Sequence, residues 1–415
     1  MTFDVEAIRK KFPSIHSNKA VFFDNPAGTQ VPEMVMSAVQ DYYLYANANS
    51  GGAFVTSRRS DELTRRARHL VADMLNAPDA MEIVFGPNMT TLNFGLSRAI
   101  AKTLRPNDEI VLTRMDHDAN VSPWLTIADD LDLMVRWVDI NDEDGTLNME
   151  SLANALNDRT RIVATVHASN ALGTINPIEQ IAEMAHSVGA YHVVDAVQSA
   201  PHLPIDVQSI GCDFLLCSAY KFFGPHIGVM WGKYEHLAEL PAYKVRPAKD
   251  KPPHRWETGT KSFETIHATA QAVEYLRKIG VDYGIDHAEE FAQMGGNRTE
   301  IHAGMRVLQA YERGLVAHLI QTLNAFDTIK VYGITEPEQF ENRVPTVIFT
   351  MKGHDSRAVA EHLAQYGIYV WDGHYYAIEV MENFDHLEDG MVRVGLAHYN
   401  TFEEIDRLGA ALGDL

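Results

Sequence analysis

Cysteine is nearly absent from this chain: Cys212 and Cys217 are the two present in 415 residues. Both lie on one apolar segment, where a disulfide along a strand has poor geometry, and neither has zinc-ligand partners at useful spacing. That argues against a disulfide scaffold or a zinc module and predicts a reducing, cytoplasmic compartment. No apolar run approaches the ~18 residues of a membrane span, and the opening "MTFDVEAIRKKF" has acidic residues and no apolar leader stretch. Positive charge is scarce too. With 35 Lys and Arg against 56 Asp and Glu, the formal net charge is -21, which argues against nucleic acid or an anionic membrane as partner. Low-complexity tracts, internal repeats and flexible linkers are all missing. What remains is an ordinary globular composition, 46% hydrophobic and 22% charged, in a chain long enough to bury a large core.

Short strands rich in Val and Ile alternate with amphipathic helices from about residue 20 to 280. "EIVFG" (82–86), "EIVLT" (109–113), "LMVRWV" (133–138), "RIVATVH" (161–167) and "YHVVD" (191–195) set the pattern. Such alternation predicts an α/β domain with a mostly parallel sheet covered on both faces. Beyond about 280 long helices run to about 325, followed by "PTVIFTM", a helix near 356–366, "GIYV", "MVRVGL" and a last helix. That is the texture of a smaller, C-terminal α+β domain. The expected division is 1–17, an N-terminal segment packing with the small domain, 18–280, the large domain, and 281–415, the small one.

In an open parallel sheet, ligands sit at the carboxyl ends of strands. Five successive strand ends here carry polar loops: "GPNMTT", "RMDHDAN", "HASNALG", "DAVQSAPH" and "SAYKFFGP". The last places Lys221 between two buried strands. A lysine there could pack its stem on Phe222 and Phe223 and snorkel to water. It could also be kept partly desolvated as a nucleophilic amine. Pyridoxal 5'-phosphate explains the second arrangement, because its ring nitrogen needs a carboxylate and its phosphate needs amides at a helix N-terminus with hydroxyls. Asp195 supplies the carboxylate, although alone it would read as a helix cap. Asn88, Met89 and Thr90 open a helix after a strand, Ser218 adds a hydroxyl, and His117 could lie over the ring. Asp116, His117 and Asp118 are also metal-ligand types, but adjacent residues rarely converge on one ion, and no second cluster accompanies them.

Taken in order, the segments resemble the class V aminotransferase family of fold-type I pyridoxal-phosphate enzymes, and within it the cysteine desulfurases and selenocysteine lyases. The segments that carry the resemblance are "FFDNPAGTQVP", "MDHDANVSPW", "HASNALGTINPI", "VVDAVQSAPHLPIDVQSIGCDF", "SAYKFFGPHIGVMWG", "RWETGT" and "RVGLAHYNTFEEIDRL". The resemblance implies a large domain built on a mostly parallel seven-stranded sheet. It implies that Lys221 bonds the cofactor and acts as catalytic base, with His117 stacked on the ring. Asp195 would pair with the ring nitrogen, and Asn170 and Gln198 would reach the phenolic-oxygen side. Thr90 and Ser218, with neighbouring amides, would hold the phosphate, and Thr260 would reach it from the other subunit of a homodimer. Arg393 would clamp the α-carboxylate of a small amino-acid substrate.

Two departures stand out against the resemblance. Desulfurases carry a histidine before the lysine, where this chain has Tyr220, whose hydroxyl can still reach phosphate. They also carry an arginine and, further on, a nucleophilic cysteine in the loop that here reads "WDGHYYAIE". Trp371 stands at the arginine position and Tyr376 at the cysteine position. A phenol carries no persulfide, and Cys212 and Cys217 read as small core residues. Trp371, His374, Tyr375 and Tyr376 would line the substrate side. The expected reaction is therefore a carbon–sulfur lyase-type β-elimination without a persulfide cysteine, with class V transamination as the alternative. A chain that has lost catalysis and serves as scaffold of a sulfur-transfer system is the reading from another class. The joint retention of Lys221, Asp195 and Arg393 weighs against it.

Overall fold

The computed structural model describes residues 3–415. Its strands, in chain order, are β1 (Val21–Phe22), β2 (Ile83–Gly86), β3 (Glu109–Thr113), β4 (Met134–Val138), β5 (Thr160–Val166), β6 (Tyr191–Asp195) and β7 (Phe214–Ser218). They continue as β8 (Gly228–Gly232), β9 (Ile329–Tyr332), β10 (Thr346–Met351), β11 (Ile368–Tyr369), β12 (Trp371–Gly373) and β13 (Met391–Gly395). Seven of them form one sheet in the order β2-β8-β7-β6-β5-β3-β4. Pairing is parallel from β7 to β4 and antiparallel on both sides of β8. The antiparallel exception has a local cause. Only a short 3-10 turn and a Gly-Pro corner separate β7 from β8, too little chain for the crossover that a parallel neighbour requires.

The central strands read as nearly continuous apolar runs because each face meets a different core. Val193, Phe214 and Leu216 join one core with Trp124 and Ile127 of the helix Ser122–Leu131. Their neighbours Val194, Leu215 and Cys217 point the other way, into a core with Ile266 and Val273 of the helix Phe263–Tyr283. Alternation by two along the strand sorts the residues between the cores. Cys212 and Cys217 are both buried in the second core.

In the C-terminal region a separate antiparallel sheet, β12-β13-β10-β9, packs on the helices Ser356–Gln365 and Phe402–Leu412. The long helix Gly296–Asn324 serves both regions: Ile301, Met305 and Leu308 enter the core of Cys217, and Leu315, Leu319 and Leu323 enter the core under β10 and β13. The N-terminal segment likewise touches both. Ile8, Phe12 and Ile15 pack in the core of Cys217, and Arg9 reaches Glu404 of the last helix at 2.9 Å.

Candidate active site

Since β2 lies two antiparallel steps from β7, the carboxyl ends of β2, β3, β5, β6 and β7 share one rim. A cleft of about 650 Å³ opens there, the size of a small-molecule site. Each of the five loops contributes, and the edge strand β12 closes the cleft from the C-terminal sheet. Asn88, Met89, Thr90, His117, Asn170, Asp195, Gln198, Ser218, Tyr220, Lys221, Trp371, His374, Tyr376 and Arg393 all line it. Thr260 does not; it lies exposed elsewhere on the chain.

Lys221 is buried at the turn after β7, with its Nζ donating to the carbonyl of Pro26. Burial and then the charge of Arg393 push its pKa down from 10.5 to about 7, against the pull of Asp195 and Asp24. About half of the amine is thus neutral at pH 7. Asp195 ends β6 and accepts from the Val197 amide at 2.8 Å, while burial raises it to about 6. His117 is held neutral, lowered to about 3 by burial and by Lys221 and Arg393. Its Nδ1 accepts the Ala119 amide at 3.0 Å, so the ring proton belongs on Nε2.

Asn88 turns out to be an N-cap, accepting from Thr91 at 2.8 Å at the start of the helix Met89–Ala101. Its side chain is thereby spent on the helix, and Met89 and Thr90 of the first turn, whose amides have no intrahelical partners, line the cleft. The helix seats this deeply because Gly228 begins β8: a Cβ there would come within 2.3 Å of the Asn88 carbonyl carbon.

Whether a pyridoxal phosphate suits these residues can be judged from what they leave unsatisfied. Gln198 Oε1 and Asn170 Oδ1 are buried without partners, although their amide nitrogens are engaged, to Thr346 Oγ1 at 3.0 Å and to the Tyr375 carbonyl at 3.1 Å. Unpaired buried acceptors in native proteins point to a missing partner. An amine, a carboxylate, a neutral imidazole and a helix N-terminus complete a set of groups that fits this cofactor.

Arg393, on β13, is buried and gives one hydrogen bond, to the Asn170 carbonyl at 3.0 Å, with its Nε unpartnered. Burial lowers it to about 10. Its guanidinium carbon stands 4.3 Å from the centre of the Tyr375 ring. Tyr375 and Tyr376 both have positive φ, 49° and 58°. Each costs about 1 kcal/mol or more for an L-residue, so surrounding contacts must hold the loop. They do: the Asp118 amide donates to the Tyr376 carbonyl at 2.8 Å, and Asn170 holds that of Tyr375. The Tyr376 ring is largely exposed, 5.5 Å from the His117 ring.

Sequence reasoning missed Asp24 and Pro26. Both lie in "FFDNPAG", a segment noted only for its resemblance, and they meet Lys221 from far along the chain. Asp24 Oδ1 is buried and unpartnered, and its burial raises the carboxyl pKa in a setting that also holds Lys221 and Arg393. Cys212 and Cys217 are absent from the cleft wall, and burial pushes both thiols well up.

The aminotransferase class-V family model matches residues 21–300 and 299–408. The chain belongs to the class V aminotransferase family. It is 32% identical to a cysteine desulfurase of Synechococcus elongatus over 99% of this chain and 63% of that one. A probable cysteine desulfurase of Mycolicibacterium paratuberculosis is 31% identical, with 97% of this chain matched to 57% of it. The chain thus spans less than two thirds of those two relatives. An aminotransferase-like protein of Gibberella zeae is 33% identical over 99% of this chain and 98% of its own. Among solved structures, the apo cysteine desulfurase of Thermococcus onnurineus superposes with a TM-score of 0.87 at 26% identity, covering 100% and 99% of the two chains. Class V aminotransferases depend on pyridoxal phosphate, and the α/β fold with its separate antiparallel sheet is the one the solved desulfurases have. Among the described residues no helix is long and apolar enough to cross a membrane.

Proposed function

We propose that this class V aminotransferase family member is a pyridoxal-phosphate enzyme that removes a sulfur-bearing group from Cβ of an α-amino acid by β-elimination, without a persulfide cysteine. The carrying observation is the cleft's inventory: a buried lysine shifted to about 7, a buried arginine that feels Asp24 but has no direct ion pair among the described residues, and no thiol on the wall. When bound, pyridoxal phosphate supplies an electron sink for charge left at Cα. The Asp195 carboxylate would sit at its ring nitrogen, the Met89 and Thr90 amides with Ser218 and Tyr220 at its phosphate, and Asn170 and Gln198 at its phenolic side. Arg393 would bind the substrate carboxylate. Lys221 Nζ, whose neutral form is well populated near pH 7, would take the Cα proton. Tyr376, where a desulfurase has its thiol, stands as wall or proton donor to the departing group, with Trp371 and His374 beside it. We further propose a cytoplasmic homodimer in which Thr260 completes the phosphate site across the two-fold, a large domain of 18–280 and a small one of 281–415.

The experiment is a screen of amino acids against the absorbance of the loaded protein, with keto acid, ammonia and sulfide assayed together. Cysteine or a cysteine thioether should yield pyruvate and ammonia with the sulfur released as sulfide or thiol. Alanine with a protein-bound persulfide would overturn the reading. A keto acid that retains the substrate's side chain, formed only with an acceptor keto acid, would make the chain an aminotransferase.

A further inference from the structure

We propose that Tyr375 is a positioning residue for carboxylate recognition: its ring face, not an acidic side chain, is the counterpart that holds the buried Arg393 guanidinium in place. The proposal rests on the reading of Arg393 as the carboxylate clamp. Four contacts close a cycle around the pair. Arg393 donates to the Asn170 carbonyl at 3.0 Å, and Asn170 donates from its side chain to the Tyr375 carbonyl at 3.1 Å. The Tyr375 ring centre lies 4.3 Å from the guanidinium carbon, and its hydroxyl donates to the Met391 carbonyl, two residues before Arg393 on β13. The ring is therefore fixed at both ends to the strand and the loop that carry the arginine.

A desolvated guanidinium needs a partner that stabilises its charge without occupying the hydrogen-bonding edge that a carboxylate will take. A directly paired aspartate would compete for that edge; Asp24 acts on the cation, but its buried Oδ1 makes no hydrogen bond to it. An aromatic face attracts the cation through its quadrupole and leaves the edge free. The Tyr375 backbone, at φ 49°, is held in a conformation that brings the ring under Arg393.

The test uses the loaded enzyme and two probes that displace the Lys221 amine from the cofactor through the same aminooxy nitrogen: aminooxyacetate, which has a carboxylate, and methoxyamine, which has none. The ratio of their affinities, read from absorbance titrations, reports carboxylate recognition and needs no turnover. Tyr375→Leu should cut the ratio by ~3- to 30-fold, the span of an exposed to a desolvated cation–ring contact, with methoxyamine affinity unchanged. Tyr375→Phe, which keeps the ring and loses only its hydroxyl anchor to Met391, should lose clearly less than Tyr375→Leu. Arg393→Met should cut it by ~10-fold or more. A wild-type ratio in Tyr375→Leu, or an equal loss in Tyr375→Phe, overturns the role of the ring. An unchanged ratio in Arg393→Met overturns the clamp reading itself. Should Tyr375→Leu fail to fold, Tyr375→Met decides by the same ratio.

Discussion

Replacing Lys221 by Met should stabilise the cofactor-free protein at neutral pH, and the gain should vanish as pH rises. The amine titrates at 10.5 when unfolded and at about 7 in the fold, because burial and Arg393 disfavour its charge. Between those values the unfolded chain binds more protons, so the lysine's burden on stability is largest below pH 7 and is relieved as pH climbs toward 10.5. Linkage makes that burden about 4 kcal/mol at pH 7, about 2 at pH 9 and below about 1 at pH 10. Methionine fills a similar volume without charge but loses the hydrogen bond to the Pro26 carbonyl, about 1 kcal/mol. The net expectation is that Lys221→Met is more stable by about 3 kcal/mol at pH 7 and about equal at pH 10. Urea unfolding of both proteins, stripped of cofactor, at pH 7, 9 and 10 gives the difference, in which the titrations of groups away from Lys221 cancel; Asp24, Asp195 and His117, which feel its charge, shift with it. A difference that stays flat or widens with pH, or a less stable variant at pH 7, would refute the argument that desolvation makes this amine reactive.

Borohydride reduction followed by peptide mapping should find the cofactor on Lys221. The covalent label should be lost in Lys221→Ala and kept in Lys233→Ala, since Lys233 is engaged with Asp213 at 2.7 Å; a label elsewhere contradicts the site. Replacing both Cys212 and Cys217 by Ala should leave turnover intact at a cost of about 1 kcal/mol per site, with no persulfide detected by mass spectrometry in the parent. Loss of sulfur release in that double variant would mean that a buried thiol reacts after all. Thr260→Ala should speed cofactor loss on dialysis without lowering the melting temperature. Full retention in a protein that sediments as a monomer would count against a shared site.

Much of the site was legible because each of its strand ends announces itself locally. A Val- and Ile-rich run that stops at a polar loop marks the rim of a parallel sheet, and Lys221 and Asp195 gain their meaning there from each other, since alone the first could snorkel and the second could cap a helix. Local signals placed Asn88 at the start of its helix but not its side chain as the cap, since cap and phosphate loop demand the same residue type after a strand. No local pattern could show that Pro26 receives Lys221, that Asp24 faces the buried cations, or that Tyr375 lies under Arg393. Those pairs come from separate segments, and which segments meet depends on how the two sheets are stacked. The sequence by itself determined the alternation of strands and helices, the burial of both cysteines and the chemistry available at the rim, because periodicity and residue type act over a few positions. Only the tertiary structure decided the partners of the buried charges, because those depend on the turn at 24–27 and on β12 and β13 meeting Lys221 from far along the chain.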